Sequence, residues 1–347
     1  MARAKGKDDP LKNALAFERP VRELDLRIEE LKAAIAQPPA PAPAKGKGKP
    51  PPPPGDPVRE LAELESRREE MVAELAGNLT VWQRIQLSRH IERPGTTEYV
   101  EMLFTDVVEL HGDRLFGDDK AIYCALATLG QRRMLVVGHR KGRTTQERIE
   151  CNWGCAHPEG YRKALRAMRL AERLRLPILT LINTPGAYPG IGAEERGQAS
   201  AIAWNILEMF GLHVPVVSVV IGEGGSGGAL GIGVCDRLLA LENAYYSVIS
   251  PEGCASILWK DGSRAEEAAL ALKLGSDTLI ELGVADERLP EPPGGAHRDR
   301  QAAAKTLADA VQRHFEELGA LQVNDLLAGR ARKYRQIGRF TGGTRAV

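Results

Sequence analysis

Aromatic residues are scarce in this sequence: six Phe, seven Tyr and four Trp make up 5% of its 347 residues. A surface that stacks nucleic-acid bases needs more of them. An excess charge of one sign is also lacking. Lys and Arg number 47 and Asp and Glu 46, a formal net charge of +1, so no global field draws the chain to nucleic acid or to a membrane. No apolar run approaches the ~20 residues that span a bilayer. The first ten residues, MARAKGKDDP, are charged and hold no apolar signal core. The five cysteines are odd in number and scattered, as expected of reduced thiols in a cytoplasmic protein.

What remains is a globular composition, 43% hydrophobic and 27% charged. The length favours a main domain plus an appendage. Residues 38–57, PPAPAPAKGKGKPPPPPGDP, have no apolar surface to offset ordering entropy and are expected to form a disordered or extended linker. Helical stripes flank it: Val21, Leu24, Ile28, Leu31 and Ile35 before, and Leu61, Leu64, Met71 and Leu75 after, with Arg68 interrupting the second. Residues 11–90 therefore read as a helical arm, packed on its own body or docking a partner. Residues 91–322 read as the main domain and 323–347 as a basic tail.

From about residue 120 the pattern becomes β-branched and continuous: Ala121–Leu129, Met134–Val137, Ile178–Ile182, Val214–Ile221 and Leu238–Leu241. Such runs predict strands buried on both faces, and their alternation with helical stretches predicts an α/β domain. Gly130 to Arg132 predicts an antiparallel hairpin. Strand, glycine loop and helix recur at 178–209 and at 214–235, and a third strand ends in SPEGCASI, which places three backbone-rich turns at one sheet edge.

The segment VVSVVIGEGGSGGALGIGV satisfies three motifs at once. Residues 224–228 match the G-x-S-x-G elbow of serine hydrolases, with Ser226 as nucleophile and His297 or His314 as the later base. Residues 222–227 match a dinucleotide fingerprint, with Glu242 downstream, although several strands precede it. The same glycines suit an oxyanion hole at a helix start, where unpaired N–H groups face negative charge. Six glycines at 222, 224, 225, 227, 228 and 231 appear too dense for close packing alone. A second loop, TPGAYPGIGAEERG, follows the strand at 178. Neither rival motif requires a second such loop, whereas an enzyme that stabilises two oxyanions does.

INTPGAYPGIGAEERGQASAIA, VIGEGGSGGALGIGV and YSVISPEGCASILWK resemble the signature stretches of the alpha subunits of bacterial acetyl-CoA carboxylase carboxyltransferase. So do GHRKGRTTQERI, PEGYRKALRAMRLAERLRLPI and LAFERPVRELDLRIEELK, so that the likeness covers roughly residues 15–330. The linker at 38–57 and the side chains Cys151, Asn152, Trp153 and Cys155 depart from the usual pattern. The resemblance implies a crotonase-like (ClpP/crotonase) α/β fold, a spiral of β-β-α units, preceded by the helical arm. It implies carboxyl transfer from carboxybiotin to acetyl-CoA, giving malonyl-CoA for fatty acid synthesis. Biotin arrives in trans on the biotin carboxyl carrier protein, charged by a separate ATP-using biotin carboxylase. The expected assembly is alpha2-beta2 with a zinc-ribbon beta subunit, the active site lying between subunits.

Within that chemistry the N–H groups of Gly186 and Ala187 are expected to form one oxyanion hole and those of Gly227 and Gly228 the other. Lys141 and Arg143, on a loop directly after a strand, are candidate cations for a carboxylate or phosphate. Tyr188, Gly225, Glu252 and Gly253 line the same turns as candidate substrate or carboxybiotin contacts, Glu252 doubling as a turn or cap residue. Arg162, Arg166, Arg169 and Arg173 share one helix face, either solvated or reserved for phosphates or an acidic surface. Glu194 and Glu195 open a helix, where acids are favoured in any case. Cys151, Cys155 and His157 lack a fourth ligand, so no metal is expected on this chain.

Overall fold

The computed structural model describes residues 11–36 and 56–338. Residues 38–55 of the predicted linker and 339–347 of the predicted tail lie outside that range. The chain divides into two compact units, Met1–Leu79 and Thr80–Val347. The boundary falls about ten residues before the predicted end of the arm.

The first unit is a pair of helices, α1 (Arg19–Ala36) and α2 (Pro57–Gly77). Asp56 caps α2 by accepting from the Val58 N–H at 3.0 Å, and Pro57 occupies the first helical position, where a missing N–H costs nothing. Val21, Ile28 and Val72 are buried. Arg68, which interrupts the apolar stripe, reaches across to Asp25 at 2.8 Å.

The second unit is built on one mixed sheet of eight strands. Helices α3 (Val81–Ser88) and α4 (Thr96–Leu103) lead into strand β1 (Thr105–Glu109). Strands β2 (Ile122–Leu129) and β3 (Arg132–His139) form the predicted hairpin, Leu129 opposite Arg132, with Gly130 at φ +61° in the turn. After α5 (Thr145–Glu150) and α6 (Pro158–Arg173), strand β4 (Ile178–Thr184) pairs parallel to β3. Helices α7 (Ile191–Glu195) and α8 (Gln198–Phe210) precede β5 (Val216–Gly225), and α9 (Ser226–Leu230) precedes β6 (Arg237–Leu241) and β7 (Tyr245–Ser247). Then come α10 (Pro251–Trp259), α11 (Ala265–Leu272), α12 (Ser276–Glu281), β8 (Glu287–Leu289), α13 (Arg300–Gly319) and α14 (Val323–Gln336). The sheet runs β1-β2-β3-β4-β5-β6-β8, with β7 pairing the far end of β5.

Every residue of β4 and β5 is buried, as their continuous apolar runs predict. Two of the polar exceptions satisfy each other: the Thr180 hydroxyl lies 2.6 Å from that of Ser218 on the neighbouring strand. Burying each Val, Leu or Ile here contributes about 1.5–3 kcal/mol.

Two buried ion pairs fasten the periphery to this core. Arg93, between α3 and α4, grips Glu291 with both terminal nitrogens, and its Nε donates to the Ile221 carbonyl at 2.7 Å. Burial pushes the Glu291 carboxyl up, but the Arg93 charge and hydrogen bonds from Arg93 and Asn243 outweigh it, bringing the pKa from 4.5 to about 2. A depressed carboxylate stabilises the fold fully above its unfolded pKa, and that contribution fades as pH falls from about 4.5 through about 2. Urea midpoints recorded across this window are expected to fall steeply for the wild type and less steeply for Glu291→Gln; parallel curves would show that this pair does not set acid stability.

The predicted basic tail is, from Val323 to Gln336, helix α14, and its Arg330 is 1% exposed. The guanidinium pairs with Asp236 at 2.9 and 2.8 Å and donates to the carbonyls of Met209, Leu212 and Val214. Those carbonyls lie on the chain running from α8 into β5, so α14 closes the end of the sheet rather than trailing from it.

Candidate active site

Strands β4 and β5 are parallel and paired as far as Thr184 opposite Gly224, so the loops that follow them leave the same sheet edge. The loops touch. A Cβ on Gly225 would stand 2.1 Å from the Pro185 carbonyl oxygen, and one on Gly228 would stand 2.5 Å from the Gly186 carbonyl carbon and 2.6 Å from the Ala187 nitrogen. Gly222, Gly224 and Gly231 are closed in at similar distances by Asn183, Tyr246 and Tyr161. Close packing therefore accounts for five of the six glycines, contrary to the expectation from their density. Gly227 is the exception: a Cβ there meets only Ile202, at 3.6 Å.

Backbone partners separate the candidate donors. The Gly186 N–H donates to Thr184 Oγ1 at 3.1 Å, and the Thr184 hydroxyl donates to the Gly186 carbonyl at 2.8 Å. The Tyr188 N–H goes to Ala156, and the Gly227 carbonyl receives the Gly231 N–H. Among the described residues this leaves the N–H groups of Ala187, Gly227 and Gly228 without a backbone acceptor. The two expected donor pairs thus adjoin one another.

Ser226 opens α9 with φ +52°, a strained angle for a residue with a side chain. This is the elbow geometry of a nucleophile, but the bases named from the sequence lie elsewhere. His314 Nε2 is 2.7 Å from Glu287, and the His297 ring stacks on His90 at 4.0 Å. His139 is fully buried behind the loops, its Nδ1 receiving the Asn183 N–H at 3.3 Å. Burial drives its pKa down to about 3, which keeps the ring neutral.

A chain of charges runs beside the loop that follows β5. Glu223 lies between Arg89, whose Nε is 2.8 Å away, and Lys141, whose Nζ is 3.5 Å away. Arg89 also holds Glu252 at 2.6 Å and the Tyr245 hydroxyl at 2.9 Å. The PEG turn and the glycine loop are thereby tied through one guanidinium. Burial pulls the Lys141 pKa down against the opposing pull of Glu223. Arg143 stands apart, bound to Glu98 at 2.6 Å and to Glu101. Tyr188 stacks on His157 at 4.1 Å, and Gly253 donates its N–H to Ser250 Oγ at 3.1 Å as part of the α10 cap. Cys151 and Cys155 are free thiols. No helix among the described residues is long and apolar enough to cross a membrane.

Residues 14–338 match the family described as acetyl co-enzyme A carboxylase carboxyltransferase-like. This chain belongs to that family. It is 52% identical over 329 residues to the acetyl-coenzyme A carboxylase carboxyl transferase subunit alpha of Geobacter metallireducens, covering 94% of this chain and 98% of the relative. The subunit of the same name from Methylococcus capsulatus is 51% identical over 316 residues, covering 91% and 94%. Among solved structures, transcarboxylase 12S with methylmalonyl-coenzyme A bound aligns with a TM-score of 0.50 at 18% identity, over 64% of this chain and 44% of that one. A Pseudomonas malonate decarboxylase hetero-tetramer in complex with coenzyme A gives 0.51 at 17%, over 62% and 86%. These two share the crotonase-like fold with the chain. The family's reaction is carboxyl transfer to acetyl-CoA.

Neither Arg89 nor Glu223 stands out in the sequence. The only signal for Glu223 is an acid inside a glycine loop, whose ion partners Arg89 and Lys141 both lie far away in sequence.

Proposed function

We propose that this chain is the alpha half of a divided carboxyltransferase that moves a carboxyl group from biotin on a separate carrier protein to acetyl-CoA, giving malonyl-CoA. The observation that supports this most is the contact of Gly228 with the Gly186–Ala187 peptide, which gathers three unengaged N–H groups at one place. Carboxybiotin supplies the carboxyl group when its carrier docks. With Gly186 held by Thr184, the working donors are Ala187, Gly227 and Gly228. They face the oxygens on which charge grows, the thioester carbonyl foremost, and each is worth roughly 3 kcal/mol in such a role. Lys141 presents a cation to the carboxylate in transit, and Glu223 and Arg89 fix where it stands. Tyr188, Gly225, Glu252 and Gly253 shape the surrounding turns.

Ile191, Val248, Ile257 and Leu258, which lie near the first glycine loop and the PEG turn in sequence, are 77%, 79%, 62% and 64% exposed. Apolar side chains of this kind beside a site fit a partner's surface. The partner in this reading is a beta subunit in an alpha2-beta2 assembly, served by a biotin carrier and an ATP-using biotin carboxylase in the cytoplasm.

The test is co-expression with a beta subunit, followed by malonyl-CoA-dependent carboxylation of biocytin. Turnover by the complex is expected; an intact complex without turnover overturns the reading. In the same assay Ser226→Ala is expected to keep activity within about threefold, because among the described residues no hydrogen bond links its hydroxyl to a base, His314 being engaged by Glu287 and His297 stacked on His90. Near-complete loss would return Ser226 to the role of nucleophile.

A further inference from the structure

Helices α6 and α8 line a groove of about 910 Å³, a volume in the range of small-ligand sites. Five arginines and three acids line it. The arginines divide into two sets. Arg162 is spent on Asp113 and the Arg196 carbonyl, Arg166 on the carbonyls of His111 and Gly112, and Arg196 on Glu159. Arg162 and Arg166 thereby clip the loop between β1 and β2 to α6, and Arg196 ties the junction of α7 and α8 to it. The other two are less committed. Arg169 places one nitrogen on Glu208 at 2.9 Å and is 54% exposed, and Arg173, one helical turn further, has no hydrogen bond or ion pair among the described residues.

Guanidinia four residues apart on a helix stand ~6 Å apart at Cβ, which suits oxygens of one phosphate or of adjacent phosphates. Across the groove, Trp204 is 57% exposed, an unusual state for an indole and a ready platform for a flat ring. The floor is formed by Asn205, which is fully buried. Its Nδ2 donates to the carbonyls of Tyr161 and Gly231 at 3.0 and 2.8 Å, while its Oδ1 has no partner among the described residues. Gly231 directly follows α9, so the floor of the groove is bonded to the end of the short helix that carries Gly227 and Gly228.

We propose that this groove binds a nucleotide, with its phosphate on Arg169 and Arg173 and its base on Trp204. The proposal is independent of the carboxyl-transfer reading, because its readout is binding. Two sources share this chemistry, a free nucleotide and the nucleotide end of a coenzyme A thioester. The full-length chain is titrated with ADP, with 3′,5′-ADP and with pyrophosphate, following tryptophan fluorescence and calorimetry. Saturable binding of at least one nucleotide is expected. The double variant Arg169→Ala/Arg173→Ala, altered only at exposed positions, is expected to weaken it by about tenfold or more. Trp204→Ala is expected to weaken nucleotide binding while sparing pyrophosphate, which has no ring to stack. Tighter binding of 3′,5′-ADP assigns the groove to the coenzyme A end, and tighter binding of ADP to a free nucleotide. Absence of saturable nucleotide binding to the wild type, or unchanged affinity in the folded double-arginine variant, overturns the proposal.

Discussion

Gly228→Ala is expected to lower the turnover of an assembled carboxyltransferase by roughly 10²- to 10³-fold, the loss typical of removing one oxyanion donor. The reason is steric. The new methyl would stand 2.5–2.6 Å from the Gly186–Ala187 peptide, closer than real Cβ contacts come, and both neighbours are backbone that cannot rotate away. The loops must part, and the Ala187 N–H moves with them. Gly227→Ala is the matched control for packing. It adds the same methyl one residue earlier, where only Ile202 lies nearby at 3.6 Å, and is expected to melt at the wild-type temperature. Steady-state transfer assays with circular dichroism on both variants decide the matter. A folded Gly228→Ala variant with full turnover would remove the loop contact from the mechanism.

The second large effect concerns stability. Arg330→Met is expected to cost about 3–5 kcal/mol, the usual penalty for breaking a buried ion pair from one side. Asp236 would remain buried with its charge, and carbonyls at the end of α8 and the start of β5 would lose their donor. In a unit of this size that corresponds to a fall in melting temperature of roughly 10 °C. Adding Asp236→Leu is expected to recover part of the loss, since it removes the stranded charge. Calorimetry of the single and double variants measures both steps, and an unchanged melting temperature for Arg330→Met would show that α14 does not fasten the sheet.

The legible part of this fold was its centre. The runs Ile178–Ile182 and Val214–Ile221 announce the two central strands because strands buried on both faces are mostly apolar. Strand β1, Thr105–Glu109, was missed because it is an edge strand whose side chains are mostly exposed, leaving no apolar run. Strands β7 and β8 are three residues each, too short for any period to show. Helix α14 reads as a tail in sequence because its charges dominate its composition, and only the pairing of Arg330 with a residue 94 positions earlier reveals one of those charges as buried. In the site, the glycine loops were visible as density, but the reason for the density was not. Five positions answer to neighbours whose closeness only the fold creates. Arg89 was invisible for the same reason, since its partners lie more than 100 residues downstream.

The Arg330 pairing also sets a schedule. Its acceptors at Met209, Leu212 and Val214 precede it by 121, 118 and 116 residues. At a synthesis rate of about 5–20 residues per second, the sheet edge waits roughly 6–24 s for its donor. During that interval Asp236 and these carbonyls have only water or the wrong partner to bond. The nascent chain is most exposed to misassociation after its hydrophobic centre has been made and before its last helix arrives, and a slower codon run between 236 and 330 would lengthen that exposure without changing a single residue of the product.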